Sequence, residues 1–370
     1  MPGCVVLIDG SCFKGTRFGS RDPVVGEIAL YTGVVGWQEV LTDPAYAGKI
    51  VVFTYPHVGN YGVNDEDMES SEITVKGIVV RDLARFYSNF RAQCDFRSWV
   101  EAKGIAGLAG VDTRAIMVHT RDHGGGIAAI AANEPEARKA MRESGSPFDR
   151  NLVSEVQGFC RPPETWGEAV AALGTQHIRL AVLDLGGKYS LYRQFAELGC
   201  SLQIFPWDTS AETILASGAS GLLLPPGPGD PNRLGTVVNQ VNRLLGKLPI
   251  LGIGLGFQLL ALALGAVVTR LKAGRHGVNY PIRSTRGEPS LIAACHHSFA
   301  VAAEPLPAGV TVTYTHINEG TPMGIEALGL NAWGYQFHPG RDIDNRPSPL
   351  LAQFVESCLT PTSIEDEDHA

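Results

Sequence analysis

Residues 250–265 read ILGIGLGFQLLALALG, and this stretch decides the fold. A short apolar run, a glycine-rich turn and a longer apolar run predict a buried strand, a tight turn and a helix. A turn of this kind between strand and helix often carries a catalytic nucleophile at its apex. The apex residue here is Gly254, which has no side chain. The sequence therefore predicts the turn without the nucleophile.

Apolar strand-like runs and helix-like segments alternate over the whole of residues 177–358. Apolar runs such as IRLAVLDLG, at 178–186, alternate with helix-like segments such as KYSLYRQFAELG, at 188–199. Apolar strands that alternate with helices predict a parallel sheet covered by helices on both faces. We therefore expect a doubly wound α/β domain that ends with a helix in SPLLAQFVESCL, at 348–359.

The first part of the chain has a different pattern. Residues 1–150 begin with short strand-like runs separated by glycine and continue with helix-like segments at 95–104 and 112–124, which predicts an α+β domain. Residues 151–176 lack strong periodicity and are interpreted as a linker, although a surface loop within one domain fits the composition nearly as well. Residues 359–370 form an acidic tail.

Composition excludes several classes of function. The net charge of −8 argues against a broad surface for nucleic acid or anionic membrane. The apolar runs are too short and too often interrupted by glycine to span a bilayer, and the first residues lack the pattern of a signal peptide. Seven cysteines, with no CxxC pair, fit reduced thiols in the cytoplasm better than disulfides or a zinc site.

Motifs in both halves carry a resemblance to a known family. The first half contains GWQEVLTDPAYAGKIVVFTYPHVGNYGVNDEDMES at 36–70, GIVVRDL at 77–83, SNFR at 88–91 and GVDTRAI at 110–116. The second half contains DLGGK, PPGPGDP, GIGLGFQLLAL and YQFHPG. From about residue 3 to about residue 357 the chain resembles the small subunit of carbamoyl-phosphate synthetase. The resemblance implies an N-terminal small-subunit domain followed by a class I glutamine amidotransferase domain.

The resemblance also implies where the catalytic triad should be. Members of the family carry a cysteine at the position of Gly254, and it attacks the amide of glutamine and releases ammonia. A histidine, here His338, acts as the base, and a glutamate orients it where this chain has Gly340. Two of the three triad positions are thus occupied by glycine. The resemblance predicts an amidotransferase site whose hydrolytic chemistry is lost, that is, a pseudoenzyme.

Glutamine-binding positions carry over only in part. Pro226 replaces an asparagine, and Phe257 replaces a histidine and should make the pocket bulkier and more apolar. Backbone amides can stabilise an oxyanion whatever the side chain, so part of the pocket could persist. The positions that the resemblance assigns to substrate binding are Ala45, Gly227, Gly229, Leu255, Gln258, His296, Ser298 and Phe299.

The segment Cys295-His296-His297 allows other interpretations. It could supply a relocated cysteine nucleophile, or a metal site together with His338. The alternative is a strand whose side chains alternate in direction, which separates His296 from both neighbours. No metal or organic cofactor is implied for this chain.

Three functions of different classes follow. The first is a synthetase small subunit that forms a heterodimer with the large subunit. By the resemblance, the large subunit makes carbamoyl phosphate for arginine and pyrimidine biosynthesis, and without a glutaminase it would use free ammonia. The second is a non-catalytic paralogue that binds a small amide ligand or regulates a working synthetase. The third, an enzyme that uses Cys295 and the nearby histidines, has the weakest support.

Overall fold

A computed structural model describes residues 1–162 and 178–359. Residues 1–162 contain nine strands, β1 (Pro2–Leu7), β2 (Cys12–Gly19), β3 (Val24–Tyr31), β4 (Lys49–Phe53), β5 (His57–Val58), β6 (Gly77–Val79), β7 (Asp82–Leu83), β8 (Ala106–Ala109) and β9 (Ile127–Ala131). They also contain five α-helices, α1 (Trp37–Thr42), α2 (Phe96–Ala102), α3 (Thr113–His123), α4 (Glu134–Glu143) and α5 (Leu152–Val156).

Seven of these strands close into a barrel. They pair in the order β3-β4-β6-β8-β2-β1-β9, and β9 pairs back with β3. Six of them contribute apolar side chains to one buried cluster, which includes Val5, Ile50 and Leu108. Closure leaves no exposed edge in this ring of strands.

Helices α2 and α3 confirm the two helices predicted in this half. Each begins after an aspartate whose side chain accepts a hydrogen bond from a backbone amide of the first turn, Asp95 from Ser98 and Asp112 from Ala115. The closed barrel itself was not predicted, because the pairing of β9 with β1 and β3 joins residues that are far apart in the sequence.

Residues 178–359 contain nine further strands, β10 (Ile178–Asp184), β11 (Cys200–Pro206), β12 (Gly221–Leu224), β13 (Ile250–Ile253), β14 (Val268–Ser284), β15 (Leu291–Val301), β16 (Thr311–His316), β17 (Pro322–Ala327) and β18 (Ala332–Tyr335). Their helices are α6 (Tyr189–Glu197), α7 (Ala211–Ala216), α8 (Gly235–Leu244), α9 (Leu255–Ala263) and α10 (Pro349–Ser357). Five strands run parallel in the order β11-β10-β12-β13-β18, and β17, β16, β14 and β15 extend the sheet in antiparallel pairs.

Helices cover both faces of the parallel strands, as the alternating pattern predicts. One core cluster packs α7, α8 and α9 against one face, and a second packs α6 and α10 against the other. Alternate residues of β10 belong to the two clusters, Leu183 to the first and Val182 to the second. The doubly wound α/β fold is confirmed.

The two halves are joined through the sheet. Tyr31 of β3 pairs with His276 of β14, so the barrel and the second sheet are continuous. Within the predicted linker, helix α5 buries Val153 in a core cluster of the second half. Residues 163–176 of that linker, and residues 360–370 of the predicted acidic tail, lie outside the described residues. The domain boundaries therefore stay a prediction.

Candidate functional site

The predicted turn connects β13 to α9, with Gly254 at its apex. Gly254 has φ 58° and ψ −112°, a backbone conformation that residues other than glycine rarely adopt. Its amide donates to the carbonyl of Tyr335 at 2.9 Å, and its carbonyl accepts from the amide of Gln258 at 3.2 Å. The turn between β13 and α9, called the elbow below, thus keeps the backbone geometry of a turn that carries a nucleophile, but its apex has no reactive atom.

Close packing explains the two flanking glycines. A Cβ at Gly256 would lie 1.9 Å from the carbonyl oxygen of Leu224, and a Cβ at Gly252 would lie 2.5 Å from the carbonyl oxygen of Gly256. The first turn of α9 therefore rests directly on backbone. Both glycines are required by the fold whether or not the site has an activity.

The apex is covered from the loop after β12. Pro226 and Gly254 are both buried, and a Cβ at Gly254 would lie 3.2 Å from the Cβ of Pro226. In the same loop, a Cβ at Gly227 would lie 2.0 Å from the carbonyl oxygen of Leu185, and Gly229 has φ +95°. A side chain at the nucleophile position would therefore press against Pro226.

Several predicted pocket residues lie within the core. Gln258 donates from its amide group to the carbonyl of Phe299 at 2.9 Å and to the side chain of Gln336 at 3.1 Å. Leu255 is buried among the apolar residues beneath α9. Phe257 was expected to narrow the pocket, but its fully buried ring packs with Phe299 and Ile325. Position 257 lies on the face of α9 that packs against the sheet, beside the predicted pocket residue Phe299, and its effect on the pocket stays a prediction.

Other predicted residues meet at the boundary between the two halves. The hydroxyl of Tyr46 lies 2.6 Å from Nδ1 of His296, and the rings of His296 and His338 have centroids 4.8 Å apart. Ala45 is buried beside Tyr46, and its amide donates to Asp43 Oδ1 at 2.9 Å. The boundary therefore brings Ala45, His296 and His338 into one neighbourhood.

Two lysines complete this boundary, Lys49, which is buried, and Lys188, which is partly buried. Nζ of Lys188 lies 3.5 Å from Asp43 Oδ2 and 3.9 Å from Glu69 Oε1. Burial acts to lower the pKa of Lys188, but the two carboxylates outweigh it and hold that pKa above its usual value. Lys49 pairs with Glu27 and donates to Ser298 Oγ at 3.3 Å. No local pattern in the sequence predicts that the two lysines, Tyr46 and their carboxylate partners lie at this boundary.

The histidines of this region are held neutral. Burial lowers the pKa of His276, His296 and His338 well below the usual value, and nearby lysines lower it further. The pKa of His297 falls to about 3, for the same reason and because Arg275 is close. A neutral His338 could accept a proton, but no thiol is present at Gly254 to supply one.

These histidines predict that stability falls in acid. Below about pH 6.5 these histidines bind protons in the unfolded chain but not in the folded chain. Each histidine therefore lowers the free energy of unfolding by up to about 1.4 kcal/mol for every pH unit below that value. Burial raises the pKa of Glu39 to about 7, which opposes the effect of one histidine, and Asp43 and Asp184 act in the same direction. The four histidines outnumber these three carboxyl groups, so we expect a net loss of stability between pH 6.5 and 5.5.

Urea unfolding at pH 7.5, 6.5 and 5.5 measures this dependence. His276→Gln should reduce the slope of the unfolding free energy against pH by up to one proton, because both ring nitrogens of His276 are buried without a partner. A stability that stays level down to pH 5.5 would contradict the prediction.

The alternative chemistry at Cys295 has little support from the geometry. Cys295 is fully buried in a core cluster of the second half, and burial raises the pKa of its thiol to about 12. His296, next to it on β15, instead contacts Tyr46 and His338, as side-chain alternation predicts. Among residues 1–162 and 178–359, no three His, Cys, Asp or Glu side chains are arranged to hold a metal ion.

Gly340 lies at the surface, on the rim of a cleft of about 820 Å³. The cleft is lined by one end of α6, the outer part of β15, residues 337–342 and the start of α10. Within the part of the chain that the structure describes, no heavy atom other than those of Gly340 and its two chain neighbours lies within 4 Å of the position that a Cβ at Gly340 would take. The space beside His338 is thus open where the triad acid was expected.

Comparisons with known proteins extend over both halves. Residues 5–130 match the family described as carbamoyl-phosphate synthase small chain, CPSase domain, and residues 181–357 match the family glutamine amidotransferase class-I. The carbamoyl phosphate synthase small chain of Akkermansia muciniphila is 38% identical over 96% of this chain and 95% of its own. The small chains of Listeria monocytogenes and Clostridium perfringens are 37% and 36% identical over 95% and 96% of this chain, and over 95% and 97% of their own. Within the described residues no helix is long and apolar enough to cross a bilayer.

Proposed function

Because the chain belongs to the carbamoyl phosphate synthase small-chain family, we propose that it pairs with a large synthase chain without hydrolysing glutamine itself. One observation carries this proposal. The elbow between β13 and α9 keeps its backbone geometry, yet its apex is the buried residue Gly254. A triad that lacks its nucleophile loses about a million-fold in turnover.

Three further observations support the loss. The acid position, Gly340, has no side chain and faces solvent. Pro226 occupies the space in front of the apex. Cys295, the thiol nearest to the histidines in sequence, is buried and protonated at neutral pH. These observations support the proposal that neither Gly254 nor Cys295 acts as a nucleophile.

In the proposed role, free ammonia is the nitrogen donor. The large chain would receive ammonia from solution, and the product would be carbamoyl phosphate for arginine and pyrimidine biosynthesis in the cytoplasm. The packed barrel and the buried contacts between the halves support a scaffold that persists without catalysis.

The test is reconstitution with the large chain of the same organism. We expect a stable complex in size-exclusion chromatography that makes carbamoyl phosphate from ammonium chloride and bicarbonate. Replacing ammonium chloride with glutamine should lower the rate at least about a thousand-fold, in line with the loss of a triad nucleophile. A complex with equal rates from the two nitrogen donors would contradict the proposal.

A second candidate is a paralogue that binds a ligand or regulates a synthase. The open cleft beside His338 favours it, because a packed remnant would have no such space. Failure of the chain to bind the large chain in the same experiment would favour this candidate over the first.

A further inference from the structure

A pocket of about 400 Å³ lies at one end of the barrel. Strand β1 begins there, at Pro2, and strands β2 and β9 end there, at Gly19 and Ala131. Its lining comes from β1, β2, the connection after β2, helix α2 and the residue after β9. None of these residues belongs to the elbow or to the cleft beside His338. The pocket is therefore distinct from the positions that the resemblance assigns to chemistry and substrate.

Three arginines line this pocket. Arg17 is on β2, Arg21 lies in the connection from β2 to β3, and Arg97 is on α2. Glu101, also on α2, is the acid among the lining residues that the structure describes, and Asp22 does not line the pocket although it follows Arg21. Three positive side chains and one negative side chain leave two positive charges, on a chain whose net charge is −8. The pocket thus favours an anion by its charge.

Arg17 lies at the inner side of the barrel mouth. Because side chains alternate along a strand, it is on the same face of β2 as Phe13, which packs against the cluster inside the barrel. Gly3 of β1 leaves room for its stem, since a Cβ at Gly3 would lie 2.6 Å from Arg17 Cδ. Its Nε is buried without a hydrogen-bond partner among the described residues, and its Nη2 donates to the carbonyl of Ser20 at 3.4 Å. Buried polar groups normally have such a partner, so this guanidinium has a donor to offer a ligand.

The other two arginines also have N–H groups to offer. Arg21 is exposed, and within residues 1–162 and 178–359 its guanidinium makes no hydrogen bond or ion pair. Arg97 donates from Nε to Glu101 Oε1 at 2.8 Å, which uses one of its several N–H groups. Glu136, near the end of β9, accepts from the amide of Ala132 at 2.9 Å and does not line the pocket. The acids close to the pocket therefore leave most of the arginine donors unused.

These donors suit a phosphate group better than a carboxylate. Guanidinium groups bind phosphate through paired N–H···O bonds, and a phosphate monoester carries a charge of about −1.5 to −2 at neutral pH with three terminal oxygens. That charge matches the two uncompensated positive charges, whereas a carboxylate carries one charge and two oxygens. The volume lies within the range of small-molecule sites, roughly 300–1,000 Å³. We propose that the pocket binds a phosphate group, free or on a small ester, between Arg17, Arg21 and Arg97.

Arg21 offers a direct test of the proposed site. Its guanidinium is exposed and contacts no other side chain that the structure describes, so Arg21→Gln should not disturb the fold. Arg17→Gln is the second variant and removes the guanidinium at the barrel mouth. Arg114→Gln is the matched control, because Arg114 is exposed on α3 and does not line the pocket, so the change in charge is the same.

The experiment is isothermal titration of the full chain at neutral pH with phenyl phosphate, inorganic phosphate and benzoate. We expect one phenyl phosphate site on the native chain and on Arg114→Gln, and binding weakened about tenfold or more in Arg21→Gln and in Arg17→Gln, since each loses hydrogen bonds to a charged group. Benzoate should bind at least about tenfold more weakly than phenyl phosphate, because it has half the charge.

The two phosphate probes distinguish the sources of the group. Tighter binding of phenyl phosphate would identify an ester as the ligand, and equal or tighter binding of inorganic phosphate would identify the free ion; both results support the site. Benzoate that binds as tightly as phenyl phosphate, an equal effect of Arg21→Gln and Arg114→Gln, or no binding of either phosphate at millimolar concentration would each overturn the proposal. None of these outcomes depends on the large chain or on glutamine hydrolysis.

Discussion

Gly254→Cys alone is expected to leave the protein without measurable glutaminase activity. The new Cβ would lie 3.2 Å from the Cβ of Pro226, so Pro226 must give way by a few tenths of an ångström. The thiol would also lack the oriented base, since Gly340 offers no carboxylate to His338. Ammonia release from glutamine should stay within about threefold of the background of the native protein, on a scale where a complete triad contributes about a million-fold.

A triple variant is the matched comparison. Gly254→Cys, Pro226→Asn and Gly340→Glu together restore the nucleophile, remove the proline in front of it and supply an acid on the side of His338. We expect this variant to release ammonia at least about a hundredfold faster than Gly254→Cys alone, because triad residues act as a unit. Strong activity in the single variant would show that Pro226 and Gly340 do not limit the site.

Gly256→Ala is expected to destabilise the fold severely. Its methyl group would lie 1.9 Å from the carbonyl oxygen of Leu224, and Gly256 itself donates a hydrogen bond to the carbonyl of Pro225 at 3.2 Å. Backbone on both sides leaves no flexible side chain to move aside. Because α9 would have to move away from β12, we expect a loss of about 3 kcal/mol in the free energy of unfolding.

Gly235→Ala is the control for this prediction. Gly235 begins α8, has ordinary backbone angles, and a Cβ there would meet nothing within 4 Å. Alanine in a compatible helical position stabilises by about 0.4–1 kcal/mol. Urea unfolding of both variants measures the difference. A loss below about 1 kcal/mol for Gly256→Ala would mean that the helix yields easily and that the packing argument fails.

Local patterns predicted much of the fold. The alternation of apolar runs with helical segments predicted the parallel sheet and both helical layers, because each strand and helix carries its own periodicity. Helices α2 and α3 were predicted where Asp95 and Asp112 cap them. The turn between β13 and α9 was predicted from residues 250–265, where two apolar runs flank GIGLG, and both flanking glycines are in close contact with backbone.

Long-range features could not be predicted in this way. The closed barrel depends on the pairing of β9 with β1 and β3, and the contact of Tyr46 with His296 joins residues 250 positions apart. The inward position of Phe257 follows from the orientation of α9 on the sheet, which composition does not encode. No local pattern marks strand β17, because PMGIEA lacks both alternation and strong β propensity.

The most direct test of the central claim is ammonia release from glutamine by the purified native chain, with and without the large synthase chain. Our account predicts no release above background in either case, while ammonium chloride supports carbamoyl phosphate synthesis by the complex. Glutamine-dependent release that persists without the large chain would show that another group hydrolyses the amide. This result would contradict the proposal that the chain, with Gly254 at the nucleophile position, does not hydrolyse glutamine.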